Sequence, residues 1–143
     1  MRTPRHRRGR LAATLALTTL TLLGAGACSS GPEGVDPSTA DWPKAIAPAD
    51  ADGEFWVVWT AVSESVDDPA LATEIDRLAE EGYEVEPWAP ACQSGAQEQL
   101  STLTGFAEPV GVGVAFGSEQ DAGVFDTRDE GTTVTLSQGT WTC

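Results

Sequence analysis

The chain has 143 residues and carries 22 acidic against 8 basic side chains, a formal net charge of −14, with one histidine, three cysteines and five tryptophans. So acidic a surface repels nucleic-acid phosphates and anionic lipid head groups, which excludes both as partners for it. The single histidine, His6, stands in the basic N-terminus. The rest of the chain therefore offers neither Ser-His or Cys-His nucleophilic catalysis nor a histidine metal site.

In chain order, Arg2, Arg5, Arg7, Arg8 and Arg10 form a positive stretch, Leu11 to Leu23 an apolar one, and Gly24 to Ala27 are all small. This is the three-part layout of an export signal. Interrupted by Thr14, Thr18, Thr19 and Thr21, the apolar run falls short of the roughly 20 residues that span a bilayer. The small residues meet Cys28 directly, and polar Ser29, Ser30 and Gly31 follow. This arrangement resembles the lipobox of bacterial lipoproteins, in which a signal peptidase cuts before the cysteine and its thiol and new amino group are acylated. Ala25, Gly26 and Ala27 precede Cys28 where that family most often begins with Leu; Leu23 lies two residues early. The resemblance covers residues 1 to about 31. It implies a cleaved signal peptide over 1–27, fatty acyl chains such as palmitate on Cys28, and a lipid-anchored place on the extracytoplasmic face of a cell membrane. At about 0.8 kcal/mol per buried methylene, two or three chains give a firm anchor. Arg7-Arg8 is similar to the twin-arginine export signal, but Arg10 stands where that motif prefers an apolar residue, so the pair reads as an ordinary basic n-region.

After cleavage, Lys44, Arg77 and Arg128 face all 22 acidic residues, a net charge of −19 that reads as a solvating coat. Asp50-Ala-Asp52-Gly-Glu54 is dense in carboxylates but lacks the EF-hand order, so no metal and no cofactor is expected. Cys92 and Cys143 remain, and in an exported chain an even pair reads as a disulfide. Closing a loop of about 50 residues, it contributes roughly 4 kcal/mol in the chain-entropy treatment and pins the C-terminal residue.

Residues 28–53 read as a flexible tether rich in Pro, Ala and Asp, because Pro32, Pro37, Pro43 and Pro48 recur without an apolar period. About 24 such residues span roughly 27 Å root-mean-square. Trp42 and Ile46, its large apolar residues, are placed on the edge of the domain that follows over 54–143. There, Phe55 to Val62 is β-branched and aromatic on both faces, as in a central covered strand. Asp67 or Asp68 caps a helix with Pro69 in its first turn; Leu71, Ile75, Leu78 and Ala79 form its apolar stripe, and Gly82 stops it. Tyr83 to Trp88 reads as a second strand, ended by Pro87 and Pro90.

Ser94 to Gln97 has capping-box spacing, and Ala96, Leu100 and Leu103 share a helical face until Gly105. Val110, Val112, Val114 and Phe116 alternate with Gly111, Gly113 and Ala115, the pattern of a third strand whose glycine face admits a helix or a ligand. Ser118 and Asp121 open a helix from Glu119 to about Thr127, with Ala122 and Phe125 inward. Thr132 to Leu136 reads as a fourth strand, which Thr140 to Cys143 either extends past a bulge at Gly139 or joins as a hairpin.

The fold class is then α+β, a small two-layer sandwich with a ferredoxin-like β-α-β-(α)-β-α-β order and one disulfide. Over about half of the domain, in Phe55 to Trp59, Glu81-Gly-Tyr83 and Val112 to Ala122, the chain bears a distant similarity to SPOR domains. That similarity implies a cell-wall glycan-binding module but carries over no binding residue. The inserted helix, the disulfide and the short Glu119–Thr127 helix depart from that family.

Carboxylates are the acid or base groups left, and a glycosidase-like pair needs a cleft that about 90 residues seldom build. The reading is therefore a non-enzymatic binding or accessory module, with an envelope protein or cell-wall glycan as partner; a small carboxylate-based hydrolase is the alternative. Trp56, Trp59, Trp88 and Trp141 are the candidate binding surface. Core packing is the stronger reading of them, and opposite parity along the strand puts Trp56 and Trp59 on different sides.

Overall fold

Phe55 to Val62 lies within β1 (Glu54–Ser63), the middle strand of an antiparallel sheet in the computed structural model, which describes residues 36–143. The expected signal peptide and Cys28 lie outside the described residues. β1 pairs on one edge with β2 (Val110–Phe116) and on the other with β3 (Thr135–Thr140), giving the order β2-β1-β3. Between the strands run α1 (Pro69–Glu80), α2 (Ala96–Thr104) and α3 (Glu119–Arg128).

Both faces of β1 are covered, as its doubly apolar sequence requires. Val58 packs with Leu71 and Leu78 of α1 and with Ala122 and Phe125 of α3. Phe55, Val57 and Trp59 pack on the opposite face with Ala96 and Leu100 of α2. The expected two layers are thus three, because the helix inserted after Ser94 covers the second face of the sheet. Thr60 is the extra residue of a bulge between Trp59 and Ala61, and it shifts the alternation so that Ala61 joins the α1 side.

Local signals explain the helix limits. The Asp68 carboxylate accepts the Ala70 N–H at 2.9 Å and the Ser63 hydroxyl at 2.6 Å, tying the end of β1 to the start of α1. At the other end Gly82 is left-handed (φ +94°), and the N–H groups of Gly82 and Tyr83 return to the Ala79 and Leu78 carbonyls. Ser118 caps α3 by accepting the Asp121 N–H at 3.1 Å. α2 departs from expectation: Gly95 is its cap residue, while Ser94 turns its hydroxyl to the Thr140 N–H, so the capping box at Ser94 is not formed.

Two expected strands differ. Tyr83 to Trp88 is not a strand but an extended connection touching the sheet through one antiparallel bridge, Trp88 to Gly111. One reason lies at the other end of β2, where the Ile46 N–H donates to the Ala115 carbonyl at 2.9 Å and takes the acceptor that a longer pairing would use. β3 begins three residues later than expected and runs unbroken through Gly139, which pairs with Phe55 without a bulge. A methyl at Gly139 would meet the Ser94 carbonyl at 2.4 Å, so this glycine serves close approach of the 93–95 segment.

The segment before β1 lies against the domain. Trp42 sits 6.1 Å, centroid to centroid, from both Tyr83 and Phe125, and the Arg128 guanidinium lies 4.5 Å from its ring centre. Tyr83 donates its hydroxyl to the Pro43 carbonyl at 2.9 Å, and burial pushes its pKa up to about 12. Cys92 and Cys143 form the disulfide, Cα atoms 5.0 Å apart.

Two outcomes follow. Reduction of the disulfide lowers the unfolding free energy by about 4 kcal/mol in a urea titration, since the 51-residue separation is then unconstrained. The Ser63 hydroxyl and the Ala70 N–H hold the Asp68 carboxyl below its ordinary 3.8. The unfolded chain therefore binds the proton first, and this contribution, complete above 3.8, is lost as pH falls through the folded value. An NMR titration should place Asp68 below 3.8, and Ser63→Ala should raise it.

Candidate functional site: an open sheet edge beside a tryptophan stack

Residues two apart on a strand direct their backbone groups to the same side, which identifies what β2 presents along its outer edge. Gly111 exchanges two hydrogen bonds with Trp88, N–H to carbonyl at 3.0 Å and carbonyl to N–H at 2.9 Å. Its outward groups put those of Gly113 and Ala115 on the same side. Ala115 gives its carbonyl to Ile46; between these two anchors Gly113 is itself buried at the floor of a groove, and its N–H and carbonyl find no partner among the described residues.

A groove of about 750 Å³ lies along this gap. Ile46, Ala79, Val85, Trp88 and Trp141 give it apolar walls, and Gly113 and Ala115 contribute the strand edge. Glu84 and Glu86 are its charged residues; no lysine or arginine lines it. Its volume is within the range of small-ligand and peptide pockets.

Of the four tryptophans singled out in the sequence, the fold gathers three. Trp59 is fully buried, with its ring centre 4.6 Å from that of Trp88, which lies 5.8 Å from Trp141. The stack leads from the core to the groove wall. Trp56 lies on the other face, against the α1 and α3 side, apart from these three. The indole N–H of Trp59 donates to the Ser137 hydroxyl at 2.8 Å, which in turn donates to the side-chain amide oxygen of Gln93. Gln93 is itself buried and donates to the Phe55 carbonyl at 3.2 Å. This chain of bonds fixes the inner end of the stack and joins it to the residue after Cys92.

The same stack explains one glycine of the β2 face, Gly111, whereas a side chain at Gly113 would meet the Val58 carbonyl at 2.8 Å and the Val57 side chain at 2.9 Å. A methyl on Gly111 would lie 2.6 Å from the Trp59 ring, so the indole occupies the space a side chain would take. Sequence alternation identified that face but not its occupant, because Trp59 is on another strand.

Carboxylates gather elsewhere. Arg77 bonds Glu74 at 2.6 Å, Glu81 at 2.8 Å and Asp129 at 2.6 Å, joining α1 to the residue that follows α3. Burial pushes the Glu81 carboxyl above its usual range, while the Arg77 pKa rises chiefly through its bond to Glu74. None of these acids lines the groove. Among the described residues there is no group of three or more His, Cys, Asp or Glu placed to hold a metal ion, and no helix long and apolar enough to cross a membrane.

Comparison with protein-family models, with curated proteins and with solved structures finds no match. The site therefore rests on its own geometry. Trp59→Phe should cost about 1–3 kcal/mol in urea unfolding, because it leaves the buried Ser137 oxygen without its donor; an unchanged midpoint would show the bond to be dispensable.

Proposed function

We propose that the chain is a membrane-anchored extracytoplasmic lipoprotein, acylated at Cys28 after removal of residues 1–27, and that its domain is a non-enzymatic binding or accessory module. The observation that carries this reading is the sequence order of arginine-rich stretch, apolar run, small residues and Cys28. The Cys92–Cys143 disulfide supports an oxidising compartment, where such pairs persist.

For the domain, the support is that its acids and its groove are separate. Arg77 occupies the carboxylate cluster, which bridges two helical elements, while the groove has an apolar wall and an unpaired strand edge. Apolar walls and a few oriented backbone groups suit binding better than acid–base chemistry. We also read the fold as a ferredoxin-like sheet whose outermost strand has shrunk to the Trp88–Gly111 bridge; the antiparallel order β2-β1-β3, with α1 and α3 on one face, supports this.

The direct test is intact-mass analysis of the full-length product extracted from membranes of a bacterial host that processes lipoproteins. The expected species begins at Cys28 and carries two or three acyl chains, and Cys28→Ala moves the protein out of the detergent-extracted fraction. A chain that keeps its leader, or begins at Cys28 without fatty acid, would overturn the anchor.

A further inference from the structure

We propose that the open edge of β2 is a docking groove for an extended, basic polypeptide segment, which adds to the sheet as a short strand opposite Gly113. This deepens the binding-module reading and rests on it; it does not depend on the lipid anchor.

Three observations define the occupant. First, the free N–H and carbonyl of Gly113 stand between two backbone anchors already in place, Trp88 on Gly111 and Ile46 on Ala115. The four steps from Gly111 to Ala115 span about 13 Å at strand rise, room for roughly three residues of an added strand. An extended peptide offers a donor and an acceptor at strand spacing for both Gly113 groups. Second, the apolar walls made by Ile46, Val85, Trp88 and Trp141 suit an aliphatic side chain beside the strand edge. Third, the charged groups at the groove are Glu84 and Glu86, on a domain with a large excess of acid, so basic residues flanking that aliphatic side chain meet complementary charge.

The chain's own 83–88 segment is the competing occupant. Continued from the Trp88–Gly111 bridge, its antiparallel register would put Glu86 opposite Gly113. It would also put residue 84 opposite Ala115, whose carbonyl is held by Ile46. The strap at Ile46 therefore blocks the pair at Ala115, and the 83–88 segment makes no hydrogen bond to Gly113 among the described residues.

The test uses the full-length, disulfide-intact protein and a fluorescent six-residue peptide of alternating valine and lysine, followed by polarisation. Controls are the same peptide N-methylated along one backbone edge, and a valine–glutamate peptide. Both should bind at least about tenfold more weakly than the valine–lysine peptide. Ala79→Trp, at an exposed helix position on the groove wall, should weaken binding by a similar factor with no change in thermal midpoint. The double variant Glu84→Lys, Glu86→Lys should reverse the preference between the two charged peptides. Binding unaffected by N-methylation and by Ala79→Trp would overturn the groove while leaving a binding module that acts elsewhere. No binding of the valine–lysine peptide would likewise overturn the groove. The module reading is then judged separately, by whether the membrane-bound protein crosslinks to the same partner in wild-type and Ala79→Trp cells.

Discussion

β1 is bonded along both edges and buried on both faces, and the other elements are arranged by that constraint. A strand so apolar on each side cannot be left half-wet, because a single exposed face of this kind would forfeit on the order of 25 cal/mol for every Å² left uncovered. α1 and α3 cover one side and α2 the other. Placing α2 costs a long connection, and the chain secures it at Cys92 by the disulfide and at Gln93 by buried hydrogen bonds.

The same arrangement leaves β2 with one strand neighbour. Unpaired edges are a hazard that proteins cover or interrupt. Here the covering is divided: Trp88 from the connection takes Gly111, Ile46 from the segment before β1 takes Ala115, and Gly113 is left between them. The Trp59, Trp88 and Trp141 stack holds the first of these anchors in place from the core side, and the Trp42 contacts with Tyr83, Phe125 and Arg128 hold the second segment down. An interaction site thus arises from the way the edge is closed, with the tryptophans acting first as packing and only at their outer end as surface.

Much of this was legible in the residues wherever the signal was local. Asp68-Pro69, the Leu71 to Leu78 stripe and Gly82 define α1 within a residue or two, and the Val110 to Phe116 alternation defines β2, because caps and side-chain periods are properties of neighbouring positions. The failures are non-local. Tyr83 to Trp88 has strand chemistry, yet Ile46, some 40 residues upstream, holds the acceptor it needs. Ser94 and Gln97 have capping-box spacing, yet Thr140 claims the Ser94 hydroxyl. Parity along β1 separated Trp56 from Trp59, but the meeting of Trp59, Trp88 and Trp141 depends on how three distant segments fold together.

The central claim is that β2 keeps a backbone gap at Gly113 between two bonded neighbours. Native-state hydrogen exchange on the free, disulfide-intact protein addresses it residue by residue. The account predicts strong protection at Trp56 and Val58 of β1, which face β2, and at Gly111, with Gly113 exchanging well ahead of them. Protection of Gly113 equal to that of Gly111 would mean that the edge is already closed, and would contradict the account.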